Sequence, residues 1–292
     1  MNINYIRYFC EVCRSGNVTK AAEKIHISQP SVSIAIRELE KQYEVSLFVR
    51  HAGNLTLTPQ GEKVYEMAEM LLGDVDNFER KVMELSNEAN SQLRLGIPPI
   101  MGTYILKKII PDFTDRNPSI NLKVIEALTY CGIELLEKNI VDFMIGVECG
   151  AEEAGACYFD ELFCTELNLM TNINNPLTDY KKITLNQIDL NKLITLPDGS
   201  YHHNLVMSKF FKDKNLKKTA ILESSQIATI KHMIKKGTGT IITYKEIFED
   251  DDDIIAIPFD EPLTIKIGLF RSKNTYMTNS MKKMKSFLLK SF

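Results

Sequence analysis

The most restrictive feature of this 292-residue chain is an apolar residue that recurs at alternating steps of four and three between residues 64 and 89. Such a 3.5-residue period puts a continuous apolar stripe on one face of a long helix, where it pairs helices along a seam. We therefore predict a linker helix over residues 59–90 that pairs with a second copy, in either polarity, in preference to packing only on its own domain. The stripe consists of Val64, Ala68, Leu71, Val75, Phe78, Val82, Leu85 and Ala89.

Three shorter helices are predicted before the linker helix. Residues 4–14 carry apolar side chains at helical spacing, and residues 19–25 are rich in helix formers. A third helix runs from Ser28 to about residue 42, with Pro30 in its first turn, where the missing N–H costs nothing. The candidate N-caps of the second, third and linker helices are Asn17 or Thr19, Ser28, and Thr58.

The third helix has one packing face and one open face. At 100° per residue, one side carries Val32, Ile36, Leu39 and Tyr43, and the other carries Pro30, Ser33, Ile34, Arg37 and Lys41. Two short helices joined by a tight turn, the second with small hydroxyls and an arginine near its N-terminus, suit a major groove. Residues 45–50 and 54–57 then form two extended runs, which predict a wing with Arg50 and Asn54 at its tip.

We expect the open face of the third helix to contact double-stranded DNA. Ser31 and Ser33 can bond phosphate or base edges, and Arg37 can bind phosphate or guanine. Residues 1–60 carry seven Lys and Arg against five Asp and Glu, so the positive charge lies at this end of a chain whose net charge is -3. The candidate DNA-binding residues are Thr19, Gln29, Pro30, Ser31, Ser33, Ile34, Arg37, Arg50 and Asn54.

The first sixty residues resemble the LysR-type transcription regulators. The matching residues are Arg7-Tyr8-Phe9, Ala21-Ala22, Ile27-Ser28-Gln29-Pro30-Ser31-Val32-Ser33, Ile36-Arg37-Glu38-Leu39-Glu40, Leu47-Phe48 and Leu57-Thr58-Pro59-Gln60-Gly61. The resemblance implies a sequence-specific regulator that reads a dyad operator as a homodimer, and we expect two dimers in a homotetramer. It also implies that the linker helices pair in the antiparallel sense.

The remaining residues alternate short apolar runs with amphipathic helices, the pattern of a mostly parallel α/β sheet. The fold class is therefore α/β overall: an N-terminal all-α winged helix-turn-helix, a long linker helix, and a C-terminal two-lobed α/β effector domain similar to type 2 periplasmic binding proteins, as the resemblance implies. The expected domains are 1–58, 59–90 and 91–292, with lobe I at about 91–162 and 266–292 and lobe II at about 163–265.

A small-molecule effector is expected between the lobes, where strands end and helix N-termini offer N–H groups. Many LysR-type members carry a hydroxyl near Ile100, whereas this chain has Pro98-Pro99-Ile100, which favours a partly apolar organic acid or related metabolite over an inorganic anion. Ile242-Thr243-Tyr244 also lacks the proline often found at that strand end in the family. The candidate effector-binding residues are Pro99, Ile100, Met101, Thr129, Ser200, His202 and Gln226.

No cofactor, metal or membrane is expected. The chain has neither an export signal nor an apolar run long enough to span a bilayer, which predicts a cytoplasmic protein with reduced thiols. Cys10 and Cys13 form a lone C-x-x-C and are predicted as core residues, and Glu249 to Asp253 is predicted as a solvated acidic turn, because adjacent carboxylates do not converge on a cation.

Three alternatives stay open at this point. A thiol-switched regulator of the same family would use Cys149, Cys157 or Cys164. A small-molecule-binding α/β protein without gene control would leave the first sixty residues idle. An α/β enzyme is the third, although the sequence contains no Walker loop, G-x-G-x-x-G, G-x-S-x-G or H-E-x-x-H motif, and we predict no catalytic activity.

Overall fold

The structure is a computed structural model that describes residues 2–51, 54–86, 91–150, 154–198, 200–211 and 221–292. The chain divides into two compact units, Met1–Met83 and Glu84–Phe292. Each unit has its own apolar core.

The first unit is a three-helix winged helix-turn-helix followed by a long helix. Its elements are α1 (Ile3–Ser15), α2 (Val18–Lys24), α3 (Gln29–Tyr43), β1 (Phe48–His51), β2 (Asn54–Leu57) and α4 (Pro59–Ser86). The predicted caps are confirmed: Asn17 accepts the backbone N–H of Thr19 at 2.8 Å, and the Ser28 hydroxyl accepts that of Ser31 at 3.3 Å. Each cap satisfies an amide that a helix start leaves without an intrahelical partner.

Thr58 ties the wing to α4. Its hydroxyl accepts the N–H of Gly61 at 2.8 Å and donates to the carbonyl of Ser46 at 2.6 Å. A Cβ on Gly61 would overlap the backbone carbonyl oxygen of Leu47. Glycine is therefore required where α4 passes against the chain that enters the wing.

The apolar stripe of α4 changes its environment along the helix. Ala68 is buried in the core of the first unit, and Val64 and Leu71 pack against that core. Farther along, the side chains of Phe78 and Val82 are 67% and 46% exposed. The N-terminal part of the stripe thus packs on its own unit, although the sequence pattern favours pairing with a second copy. The side chains of Phe78 and Val82, toward the C-terminal end, do not pack there. The predicted last residues of the stripe, Leu85 and Ala89, have side chains outside the described residues.

The second unit is an α/β fold around a nine-stranded sheet. Its elements are β3 (Ser91–Ile97), α5 (Pro99–Arg116), β4 (Ile120–Glu126), α6 (Thr129–Glu137), β5 (Phe143–Val147), β6 (Cys157–Asn172), β7 (Leu193–Thr195), α7 (Tyr201–Phe210), β8 (Leu222–Glu223), α8 (Ile227–Lys235), β9 (Thr240–Tyr244), β10 (Ile254–Pro258), β11 (Thr264–Ser272) and α9 (Asn279–Ser291). The strand order is β4-β3-β5-β11-β6-β9-β7-β8, and β10 pairs with β6.

One long strand, β6, lies in both halves of this sheet, of which one half contains β4, β3, β5 and β11 and the other contains β9, β7, β8 and β10. The first part of β6 pairs antiparallel with β11, and residues 167–172 pair with β9 or β10. Leu167 and Leu169 on this strand are buried in the core of the unit. A single strand therefore runs from one half into the other.

Two helices begin earlier than the sequence indicated. The sequence pattern predicts a loop over Pro98 to Thr103 and a helix from Tyr104, but Pro98 caps α5 and Pro99 is its first residue. A proline at that position loses no intrahelical hydrogen bond. The pattern also predicts a helix from Gly132, whereas α6 begins three residues earlier, at Thr129. Pro99 and Thr129, two of the candidate effector-binding residues, therefore lie at the N-termini of α5 and α6.

Candidate DNA interface and effector site

Helix α3 presents a small polar surface at its N-terminus. The hydroxyls of Ser28 and Ser31 lie 2.7 Å apart, and Gln29 Nε2 donates to Ser33 Oγ at 2.7 Å. Arg37 Nε donates to the carbonyl oxygen of Ser33 one turn back at 3.3 Å, so the guanidinium lies along the helix surface. These groups bond one another and can exchange those bonds for phosphate or base atoms.

Burial separates the two faces of α3. Val32 and Ile36 are buried in the core, whereas Ile34 is 47% exposed. Gln29, Pro30, Ser31 and Arg37 are also exposed, as is Thr19 at the start of α2, and Ser33 is half-buried. The prediction for Tyr43 is wrong: its side chain is 48% exposed, because α3 ends there and Glu44 turns into the left-handed region with φ 53°. Ala35 is buried.

A buried carboxylate fixes α2 against α1. Glu11 is 6% exposed, and its carboxylate lies 2.8 Å from Lys24 Nζ and 3.5 Å from Arg14. The Ser15 hydroxyl donates to it at 2.9 Å. The hydrogen bond from Lys24 is the largest cause that lowers the pKa of Glu11. Ionised Glu11 thus holds the helix that precedes the turn into α3.

Two predicted wing contacts cannot be placed. Arg50 and Asn54 belong to β1 and β2 and form part of an antiparallel ladder, in which Arg50 pairs with Leu55 and His51 with Asn54. Their side chains lie outside the described residues, as do residues 52–53 between the strands. The wing itself is confirmed as a two-stranded sheet.

The second unit has a narrow cleft, with a cavity volume of about 20 Å³, where several strands end and helices begin. Six of the seven predicted effector-binding residues line it. These are Pro99, Ile100 and Met101 from α5, Thr129 from α6, and Ser200 and His202 from the start of α7. Leu128, Val147, Leu196, Pro197, Tyr201, Ser225 and Tyr244 also line it. The lining is mostly apolar with a few hydroxyls and one imidazole.

Gln226 is not among the described residues that line the cleft. Its side chain is exposed, and its Oε1 accepts the hydroxyl of Thr229 at 3.1 Å within α8. The cleft is lined instead by the preceding residue, Ser225. Because α8 begins at Ile227, Gln226 is its N-cap and points away.

His202 is buried as a neutral imidazole. Its Nε2 lies 3.0 Å from the carbonyl oxygen of Ile242, and a carbonyl oxygen only accepts, so Nε2 carries the proton. Burial lowers the pKa of His202 to about 4. The neighbouring His203 is bonded in the opposite way: its Nδ1 donates to the carbonyl of Leu196 at 2.7 Å.

Sequence reasoning missed two aromatic residues that line the cleft, Tyr244 and Tyr201. Tyr244 ends β9 and is buried, with its ring centroid 6.0 Å from that of His202. Tyr130 on α6 and Tyr201 on α7 meet edge to face, with ring centroids 5.8 Å apart. Tyr244 could have been noticed from its position in the sequence, because it stands at a strand end where LysR-type regulators often have a proline.

The acidic turn is more ordered than the sequence indicated. Asp251 lies 2.6 Å from both Lys231 and Lys235 of α8, and its side chain is only 9% exposed. The prediction of a purely solvated turn is therefore wrong at this residue. No group of three or more His, Cys, Asp or Glu side chains is placed to hold a metal ion within the described ranges.

Cys10, Cys13, Cys157 and Cys164 are poor candidates for reactive thiols. Burial raises the pKa of Cys157 to about 11, and a hydrogen bond to Glu161 raises the pKa of the exposed Cys164. In the first unit Cys10 is buried and Cys13 is half-buried, as expected for core residues. Burial raises the pKa of Cys13 to about 12.

A winged helix-turn-helix on the same chain as an α/β domain with a cleft at its strand ends defines a class, the ligand-responsive DNA-binding regulators. Along the part of the chain that the structure describes, no helix is both long and apolar enough to cross a membrane. Two family models match: "Bacterial regulatory helix-turn-helix protein, lysR family" over residues 3–62 and "LysR substrate binding domain" over residues 86–292.

Known proteins agree with this class. The Hca operon transcriptional activator HcaR of Escherichia coli (strain K12) is 28% identical over 243 residues, which are 83% of this chain and 81% of HcaR. YcgK of Bacillus subtilis (strain 168), an uncharacterized HTH-type transcriptional regulator, is 36% identical over 145 residues, which are 50% of this chain and 45% of YcgK.

Solved structures share the fold over the whole chain. Full-length OxyR from Pseudomonas aeruginosa aligns with a TM-score of 0.70 and 21% identity over 100% of this chain and 94% of OxyR. CbnR in complex with its target DNA aligns with a TM-score of 0.69 and 16% identity over 100% of both chains. The chain belongs to the LysR family: it is a DNA-binding transcription regulator with an effector-binding domain, not an enzyme.

Proposed function

We propose that this regulator works as a homodimer, and as a homotetramer of two dimers, that reads a dyad operator with α3 and senses a small organic metabolite in the cleft of the second unit. The observation that carries the DNA-reading part is the contrast between the two faces of α3, one buried and one exposed with small polar side chains. A regulator acts where the DNA is, which supports a cytoplasmic location.

The proposed division of labour follows the elements. Residues 1–58 read DNA, residues 59–90 dimerise, and residues 91–292 bind the effector in two lobes, about 91–162 with 266–292 and about 163–265. The proposed DNA contacts comprise Thr19, Gln29, Pro30, Ser31, Ser33, Ile34, Arg37, Arg50 and Asn54. The thiol-switched alternative gains no support from Cys157 or Cys164, because their raised pKa values leave little thiolate at neutral pH. Cys149 stays a candidate for that alternative.

The α3 assignment is tested by replacing Ser33 and Arg37 with alanine. Loss of one good base or phosphate contact costs about 1–3 kcal/mol, so we expect the double variant to bind operator DNA at least tenfold more weakly than the unaltered protein. The operator is first located by footprinting the DNA upstream of the regulated genes. Binding is then measured by fluorescence anisotropy at a fixed salt concentration, since phosphate contacts make affinity depend on salt.

The matched control is Lys283→Ala, which removes one positive charge from an exposed site on α9 in the second unit. It should leave operator affinity within about twofold. If the double variant binds as tightly as this control, α3 is not the reading helix.

A further inference from the structure

Two buried polar atoms of the effector cleft lack a hydrogen-bond partner among the described residues. They are Nδ1 of His202 and the hydroxyl of Tyr244. Both residues line the cleft, and their rings meet edge to face at 74°. A buried polar group that is left unsatisfied is costly, and almost all such groups in folded proteins have a partner. A bound molecule that satisfies both atoms would recover that cost.

The chemistry of His202 restricts the partner to a donor. Its Nε2 proton is committed to the carbonyl of Ile242, so Nδ1 has a lone pair and no proton. Burial also keeps the ring neutral, since it lowers the pKa to about 4. Nδ1 can therefore accept a hydrogen bond, and it would repel the lone pairs of an ionised carboxylate.

Tyr244 is less restrictive than His202. Burial raises the pKa of its hydroxyl, so the phenol stays protonated at neutral pH. A phenol both donates and accepts. The pair thus offers one acceptor that never donates and one group that does either.

The rest of the cleft is poorly equipped to neutralise an anion. No lysine or arginine is found among the described residues that line it. The start of α5 offers fewer backbone donors than an ordinary helix start, because Pro98 and Pro99 have no N–H. At the start of α7, the Ser200 hydroxyl already accepts the N–H of His203 at 3.0 Å. First-turn amides remain at the starts of α5, α6 and α7, and they supply a partial positive charge rather than a full cation. They also suit the oxygen of a neutral hydroxyl or amide.

This inference rests on the effector cleft proposed above. We propose that the cleft widens to admit an uncharged organic molecule whose hydroxyl or N–H donates to Nδ1 of His202, with its apolar part against α5. The hydroxyl of Tyr244 bonds the same polar group or its neighbour. Burial of an ionised acid here would cost several kcal/mol of desolvation without a cation to offset it, in line with general transfer energies. This narrows the sequence-based expectation of an organic acid or related metabolite to an uncharged one.

Matched pairs of probes that differ only in the polar group test this proposal. Benzamide and cyclohexanecarboxamide donate through N–H, whereas benzoate and cyclohexanecarboxylate are of the same size, ionised and unable to donate. Binding to the full-length protein is measured by ligand-observed NMR and titration calorimetry at pH 7.5. We expect the amide of each pair to bind at least tenfold more tightly than its carboxylate.

Variants assign the preference to the two residues. His202→Phe should abolish the difference between amide and carboxylate, and His202→Gln should retain it, because a glutamine amide can donate to Ile242 and still accept. Tyr244→Phe, which removes one oxygen from a buried site, should weaken the amides severalfold. His232→Gln, an exposed histidine on α8, is the matched control and should change nothing.

The outcomes separate the two proposals. Carboxylates that bind as well as the amides, or a preference that survives His202→Phe, would overturn the uncharged-effector proposal and leave the effector cleft intact. If no probe of either charge binds in the cleft, or if binding is unaffected by all cleft variants, the effector-cleft part of the proposed function fails together with the uncharged-effector proposal. The DNA-reading part has its own test in the Ser33 and Arg37 double variant.

Discussion

Gly61 shows how one residue can fix the join between two elements. A Cβ there would overlap the carbonyl oxygen of Leu47, a backbone atom that cannot rotate away, and would lie 3.1 Å from Cδ2 of Leu57. Gly61→Ala should therefore destabilise the first unit by about 1–3 kcal/mol, the usual cost of an overpacked site, although alanine is the better helix former. The measurement is native-state hydrogen exchange of the amides of α1 and α3.

The control for this prediction is Gln60→Ala, which alters the adjacent exposed position of the same helical turn. It should leave exchange rates unchanged or slightly slower. If the amides of α1 and α3 are equally protected from exchange in Gly61→Ala and Gln60→Ala, the wing and α4 can move apart to admit a Cβ without loss of stability, and the prediction is wrong.

Single residues were predictable where the reason was local. The caps Asn17, Ser28 and Thr58 follow from short side chains that accept amides at helix starts, and no distant contact is needed. Tyr244 was not predictable as a site residue, since its role depends on a histidine more than forty positions away in the chain. Polarity alone suggests Gln226 for the cleft, whereas its side chain is exposed and accepts a hydrogen bond from Thr229.

At the scale of elements, the exposed end of the α4 stripe calls for a partner. Phe78 and Val82 lie on the predicted seam and are largely exposed, and burial of a large apolar side chain contributes about 1.5–3 kcal/mol. The double change Phe78→Glu and Val82→Glu should convert the protein to monomers at micromolar concentration. Analytical ultracentrifugation measures the change, and operator affinity should fall with it because one half-site is lost.

Met83→Glu is the control for the stripe, as Met83 is 68% exposed and lies one residue, about 100°, around the helix from Val82. This variant should remain dimeric. A protein that is monomeric before any substitution, or dimeric after the double change, contradicts the proposed seam.

The number and type of elements were predictable, and their ends were less so. Periodicity located α1, α2 and α3 of the first unit within one or two residues. In the second unit, the local pattern predicts a strand only near Leu167 to Thr171, whereas β6 extends from Cys157 to Asn172. Its first part has no regular alternation of buried and exposed residues, and it is held as a strand by β11, a partner that is distant in sequence. Such pairing sets strand length and is invisible in a local pattern.

At the scale of the whole molecule, regulation requires that effector binding alters DNA binding. Helix α4 continues past Met83, where the first unit ends, so one element belongs to both units. We expect a saturating neutral ligand, found with the amide probes, to change the operator bend angle or the operator affinity by at least fivefold, the lower end of ordinary coupling energies. Gel mobility of circularly permuted operator fragments measures the bend.

The Tyr244→Phe variant is the control for that experiment, since it should shift the ligand concentration required but not the bend at saturation. An operator bend and affinity that are identical with and without ligand would refute coupling, even if the ligand occupies the cleft. Coupling is reciprocal, so the operator should also change ligand affinity by the same factor.

The long strand β6 and its neighbour β11 join the two halves of the sheet side by side, and the pairing slips by one residue between Ile267 and Gly268. Two adjacent, hydrogen-bonded strands twist together far more easily than they slide or separate. We therefore expect the two halves of the sheet to move relative to each other mainly by one rotation, about an axis near the β6–β11 pair. A single pair of spectroscopic labels, one on each half, would then report the complete state of the sensor as one distance.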